Sequence, residues 1–172
     1  MSTQNPIRLK ELAADIELEL NRLRQLEKDI TYVRQEVEND PIHAKLFYEN
    51  LALKLQSFYT GCERIFSLVA IELNGGVPSG SDWHKRLLDR MMTERETRIA
   101  VIRPETAKRL QEMLAFRHVV RSIYGFELDS DRIARLVDAY PKAWAQTQTD
   151  VAHFNAWLVS LATNLEAVNP EA

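Results

Sequence analysis

The fold is decided by residues 46–69, which read LFYENLALKLQSFYTGCERIFSLV. Apolar residues recur there every three or four positions, which is the spacing that places side chains on one side of an α-helix. The apolar side is wide, so the segment can pack against several neighbours at once. It therefore predicts a long central helix over about residues 42–73, with other helices packed around it.

The rest of the chain also reads as helix. The same spacing predicts four further helices, over residues 7–37, 83–96, 105–124 and 131–168. Pro41, the turn cluster at residues 74–81, Pro104 and Gly125 separate them, because proline and glycine interrupt helices. The connections are short, which favours antiparallel neighbours. We expect an all-α fold in which residues 1–172 form a single domain. Its architecture is expected to be an up-and-down antiparallel bundle of four main helices with one short extra helix.

Composition and charge limit the classes of function. The 172 residues are 45% hydrophobic and 27% charged, which is typical of a soluble globular protein. A net charge of −3 provides no global positive field, so any contact with RNA must come from a local patch. The lone Cys62 excludes an internal disulfide framework, and its apolar neighbours predict a buried thiol. No apolar run of about 18 residues is present, and we expect a cytoplasmic protein with no membrane contact.

One local patch lies near the end of the fourth predicted helix. Arg117, Arg121 and Tyr124 are spaced so that all three project from one side of the helix. Like charges four positions apart repel each other, and an anion turns that repulsion into binding because guanidinium groups grip phosphate. The structural alternative is that these cations only complement the dipole at the helix C-terminus. The patch predicts an anion-binding site.

Three segments occur in a fixed order: residues 57–66 (SFYTGCERIF), 75–88 (GGVPSGSDWHKRLL) and 116–125 (FRHVVRSIYG). Together they resemble the HepT-like ribonuclease-toxin branch of the HEPN superfamily, over roughly residues 10–165. The resemblance implies a HEPN-like helical bundle that forms a homodimer and cleaves RNA with no metal and no other cofactor. It also implies a partner, a small nucleotidyltransferase antitoxin that adenylylates a signature tyrosine.

The resemblance assigns roles to five residues of the third segment. Arg117 matches the signature arginine, and Tyr124 matches the tyrosine that is modified. His118 and Arg121 match the Arg-His-x-x-Arg-His form of this branch, but Ser122 stands where the second histidine is expected. Serine cannot carry a proton near neutral pH, whereas an imidazole with a pKa of about 6.5 can. Either His118 takes over as general acid or base in an endoribonuclease, or the site binds RNA or a nucleotide and cleaves poorly.

Two polar side chains outside the fourth helix are further candidates. Glu63 lies within the apolar central helix, where it either orients Arg117 across the bundle or pairs with Arg64 on the surface. We expect His84 to be half-exposed beside a packing Trp83; the alternative makes it a second proton donor at the mouth of the site. None of the four histidines has the ligand spacing of a zinc site, so no metal is expected.

The sequence also leads to an expectation for the assembly and leaves one rival function open. Arg117 and residue 122 are about 140° apart around an ideal helix, so we expect two protomers to build one site. The rival is a non-enzymatic helical adaptor or dimerisation protein that uses Arg117 and Arg121 to dock a partner. RNA cleavage in EDTA that is lost in Arg117→Ala separates the two.

Overall fold

The computed structural model of the protein describes residues 5–122, 124 and 127–168. Five α-helices follow one another: α1 (Pro6–Asn39), α2 (Ala44–Leu73), α3 (Trp83–Met91), α4 (Pro104–Ser122) and α5 (Ser130–Val168). One turn of 3-10 helix, Pro41–His43, joins α1 to α2. The described residues contain no β-strand, and the expected all-α fold with four long helices and one short one is confirmed.

Polar and packing contacts between helices give their directions. In three pairs of helices, contacts further along one helix meet residues that come earlier in the other, so the two helices of each pair are antiparallel. The contacts are Arg8–Glu72 and Leu23–Gly61 for α1 and α2, Lys10–Glu166 and Arg34–Asp138 for α1 and α5, and Thr106–Asp150 and Arg109–Gln146 for α4 and α5. The four long helices therefore run alternately up and down, as predicted from the short connections.

α2 is the central helix and packs against all four of the others. Phe58 is fully buried, and its ring meets the edge of Tyr140 at 5.0 Å between centroids. Gly61 allows α1 to approach closely, because a Cβ at this position would lie 2.5 Å from Leu23 Cδ2. Cys62 is fully buried, which confirms the expected thiol environment, and burial raises its pKa well above the ordinary value.

α3 is shorter than the sequence predicts, because it ends at Met91 and not at Glu96. The returning chain ends it: Arg98 donates hydrogen bonds to the carbonyl oxygens of Arg90 and Thr93, at 2.8 and 3.2 Å. These are carbonyl groups that a continuing helix would need for itself. Burial, and then the charge of Arg95, lowers the pKa of Arg98 to about 10, which leaves it cationic at neutral pH.

The start of α4 is fixed against α5. Asp150 accepts hydrogen bonds from the backbone N–H and Nε of Arg103, at 2.9 and 2.8 Å, and from the hydroxyl of Thr106 at 2.6 Å. A carboxylate that accepts from the first turn of a helix stabilises that end. α4 ends at Ser122, two residues before the predicted end at Tyr124, and Gly125 lies outside the described residues. No described helix has the length and apolar character needed to cross a membrane.

Candidate functional site

Four charged or titratable side chains meet where α2, α3 and α4 pack together. We call this group the Glu63 cluster; its members are Glu63 of α2, His84 of α3, and Arg117 and His118 of α4. The central position of α2 brings them together, since both α3 and α4 pack on it.

Glu63 connects the two sides of the cluster. Its residue is only 7% exposed, whereas the adjacent Arg64 is exposed to solvent. Glu63 Oε2 lies 2.5 Å from His84 Nδ1, and Glu63 Oε1 lies 4.0 Å from Arg117 Nη2. A buried carboxylate is tolerated when cationic or hydrogen-bonding groups surround it. Of the two arrangements left open by the sequence, the structure has Glu63 facing Arg117 across the bundle.

His84 is held more tightly than expected. Its side chain is 14% exposed, so the expectation of a half-exposed histidine is wrong. Trp83 stacks on one side of the ring at 3.7 Å between centroids, and His118 meets it edge to face at 5.7 Å. The hydrogen bond to Glu63 draws the first turn of α3 onto α2. Because a carboxylate only accepts, Nδ1 of His84 carries the proton and Nε2 is left for another partner.

Arg117 is buried with unused donors. The residue is 8% exposed, and its Nε and Nη1 atoms have no hydrogen-bond partner among the described residues. Its Nη2 lies 4.0 Å from Glu63, which is too far for a hydrogen bond. Most buried polar groups are paired, and each unpaired donor costs about 1–3 kcal/mol. An anion that accepts from this guanidinium group would remove that cost.

The remaining candidate residues at the end of α4 differ from Arg117 in their burial. Arg121 and Ser122 are exposed, and Tyr124, beyond the helix end, is 72% exposed. The Ser122 hydroxyl donates a hydrogen bond to the carbonyl of Val119, at 3.0 Å, within its own helix. Arg117 and Arg121 are only about 40° apart around α4, but Arg117 is buried and Arg121 is exposed to solvent.

Tyr59 belongs to the surroundings of the cluster, and the sequence reasoning missed it. Burial raises the pKa of its hydroxyl, the charge of Glu63 raises it further, and the charge of Arg117 opposes this. The sequence does indicate this position, because Tyr59 lies four residues before Glu63, which places the two side chains next to each other on α2. The carboxylate of Glu63 on an apolar helix side likewise indicates that some partner lies against it, although it does not identify His84.

The other histidines do not join the cluster. His43 and His153 are exposed, and His43 pairs with Asp40 at 2.7 Å. Within the described part of the chain, no group of three or more His, Cys, Asp or Glu side chains is placed to hold a metal ion.

Comparison with known proteins gives one finding. The sequence matches a protein-family model described as "HepT-like protein" over residues 50–158, which is more than half of the chain. This range contains all of α3 and α4 and every member of the Glu63 cluster. No curated protein and no solved structure matches the sequence.

Proposed function

The chain belongs to the HepT-like family, and from this membership and the Glu63 cluster we propose that it is a toxin-type HEPN protein that binds and cleaves RNA. One observation carries the proposal: Arg117 is buried, and its Nε and Nη1 have no hydrogen-bond partner among the residues that the structure describes. Those two nitrogens carry three of the five N–H groups of the guanidinium, and such groups donate hydrogen bonds to the oxygens of a phosphate. RNA is the polyanion that the family membership suggests.

The cleavage we propose uses the ribose 2′-hydroxyl as the nucleophile. Arg117 holds a non-bridging phosphate oxygen, and this contact strengthens as negative charge builds in the transition state. The exposed Arg121 contributes a second positive charge at the entrance. His118, exposed beside Arg117, accepts the proton of the 2′-hydroxyl. Positive charge comes from the arginines, so the proposed steps require no metal ion.

A weakened or non-enzymatic relative is the second candidate. It is favoured by one observation: Ser122 bonds back to its own helix and takes no part in the cluster. Under this alternative Arg117 still binds RNA or a nucleotide, or the exposed Arg121 docks a protein partner, and the chain acts as an adaptor.

The partners follow from the same membership. We propose a homodimer in the cytoplasm, with the exposed ends of α4 close to the two-fold axis. Tyr124 is 72% exposed, which suits modification by a small nucleotidyltransferase antitoxin. Transfer of adenylate to Tyr124 by such an enzyme supports the pairing. A protein that stays monomeric at all concentrations contradicts the dimer.

Cleavage of single-stranded RNA in EDTA tests the proposal. We expect the wild-type protein to cleave, and Arg117→Ala to lose about 10²-fold or more in rate. Arg64→Ala is the matched control, because it removes an exposed arginine from α2 and should change little. If the wild type is silent and Ser122→His is active, the weakened relative is correct. If both are silent and neither binds RNA, the adaptor is correct.

A further inference from the structure

We propose that His84, positioned by Glu63, is the general acid of this cleavage. The proposal rests on the function proposed above and completes it. Breaking an RNA chain through its 2′-hydroxyl needs two proton transfers, one from the attacking oxygen and one to the leaving 5′-oxygen. His118 accounts for the first transfer, and Ser122 cannot supply the second.

The carboxylate of Glu63 prepares His84 for this task. The 2.5 Å contact between Glu63 Oε2 and His84 Nδ1 fixes the tautomer and the orientation of the ring. Trp83, stacked at 3.7 Å, restricts the ring from one side. Nε2 is then the atom that meets the substrate. The negative charge of Glu63 also balances the positive charge of a protonated His84, which an acid must carry before it reacts.

His118 is placed differently, which separates the two roles. It is exposed, and among the described residues no acidic side chain forms an ion pair with it. Its ring centroid lies 5.7 Å from that of His84, close enough for both rings to reach oxygens of one phosphate. Arg117, the next residue to His118, supplies the contact to the phosphate itself. Two helices of one chain, α3 and α4, thus provide an acid, a base and an anion-binding group, and Glu63 of α2 positions the acid.

The proposed cleavage moves two protons and exchanges one bond to phosphorus for another. His118 takes the proton of the 2′-hydroxyl while the 2′-oxygen forms a bond to phosphorus. The bond from phosphorus to the 5′-oxygen breaks, and Nε2 of protonated His84 gives its proton to that oxygen. The products are a 2′,3′-cyclic phosphate and a 5′-hydroxyl. Exchange with solvent returns a proton to His84 and removes one from His118, so no further reactant is needed.

A substrate that needs no acid tests this assignment. We compare an RNA oligonucleotide having one cleavable linkage with the same molecule in which sulfur replaces the bridging 5′-oxygen, since a thiolate leaves without being protonated. His84→Gln should slow cleavage of the oxygen substrate by about 10²–10⁴-fold and cleavage of the sulfur substrate by less than about tenfold. His118→Gln should slow both. His153→Gln, a change at an exposed histidine of α5, should slow neither.

Glu63→Gln provides a second test, because Glu63 is proposed to act only through its effect on His84. Its loss should also be larger on the oxygen substrate than on the sulfur substrate, whereas a variant that has merely lost its fold fails on both. If the wild type cleaves, two results overturn the role of His84 and leave the proposed function standing. One is cleavage by His84→Gln at the wild-type rate. The other is an equal loss of rate on both substrates in a folded His84→Gln. Silence of the wild type on both substrates overturns the cleavage and this role together.

Discussion

Arg98 and Arg117 are both buried, but replacing each with methionine should change the stability of the protein by very different amounts. Arg98 is 2% exposed and donates five hydrogen bonds, to Asn74 Oδ1 twice and to the carbonyl oxygens of Arg90, Thr93 and Ile99. Arg117 is 8% exposed, and within the described part of the chain its Nε and Nη1 have no hydrogen-bond partner. Hydrogen bonds within the fold account for the burial of Arg98, but they do not account for the burial of Arg117.

The magnitudes follow from these contacts. Arg98→Met leaves buried oxygens unpaired at about 1–3 kcal/mol each, so we expect a loss of about 3–5 kcal/mol after partial relaxation. Arg117→Met removes the attraction to Glu63, which for a buried charge pair costs about 3–5 kcal/mol, but it also removes two unpaired donor nitrogens that cost about 1–3 kcal/mol each. Glu63 keeps its hydrogen bond to His84. The two effects nearly cancel, so we expect a stability within about 1 kcal/mol of wild type.

Urea unfolding followed by circular dichroism measures both variants. For a slope of about 1–3 kcal/mol per molar urea, Arg98→Met should lower the midpoint by about 2 M, and Arg117→Met should leave it nearly unchanged. A loss of more than about 2 kcal/mol in Arg117→Met would show that this arginine serves the fold. The reasoning that assigns it to a ligand would then be refuted.

Two buried groups, Asp150 and Cys62, should also affect stability and reactivity. Asp150→Ala should destabilise the protein by about 2–4 kcal/mol, because it removes the acceptor of Arg103 and Thr106 at the start of α4. Asp138→Ala, an exposed change in the same helix, should cost less than about 1 kcal/mol in the same unfolding experiment. Cys62 should resist thiol reagents at pH 8 until the protein unfolds, because burial raises its pKa. For the same reason stability should fall as the pH rises above about 8.5, where the unfolded thiol ionises and the folded one does not.

The helices could be predicted from the sequence because their spacing is a local property. α1, α2 and α5 were expected within a few residues of their observed bounds, and the wide apolar side of residues 46–69 correctly indicated a central helix. The end of α3 was missed because it depends on Arg98, which lies seven residues beyond Met91 and reaches back to carbonyl groups. No local pattern records such a contact.

The site was predicted less completely, for a similar reason. Helical spacing suggested that Arg117 and Arg121 share one side, but only the packing of α2 and α3 against α4 determines that Arg117 is buried and Arg121 exposed. The link from Glu63 to His84 spans 21 residues and two helices. Spacing within a helix cannot give it, although the presence of a carboxylate on an apolar side indicated that some partner was needed.

Binding of RNA to Arg117 is the claim on which the account depends, and fluorescence anisotropy with a labelled, uncleavable 2′-O-methyl RNA tests it most directly. At constant salt, Arg117→Met should weaken binding by about tenfold or more, as expected for the loss of a charged hydrogen-bonding contact to phosphate, whereas Arg64→Met should bind as the wild type does. Equal affinity of Arg117→Met and the wild type for this RNA would contradict the account.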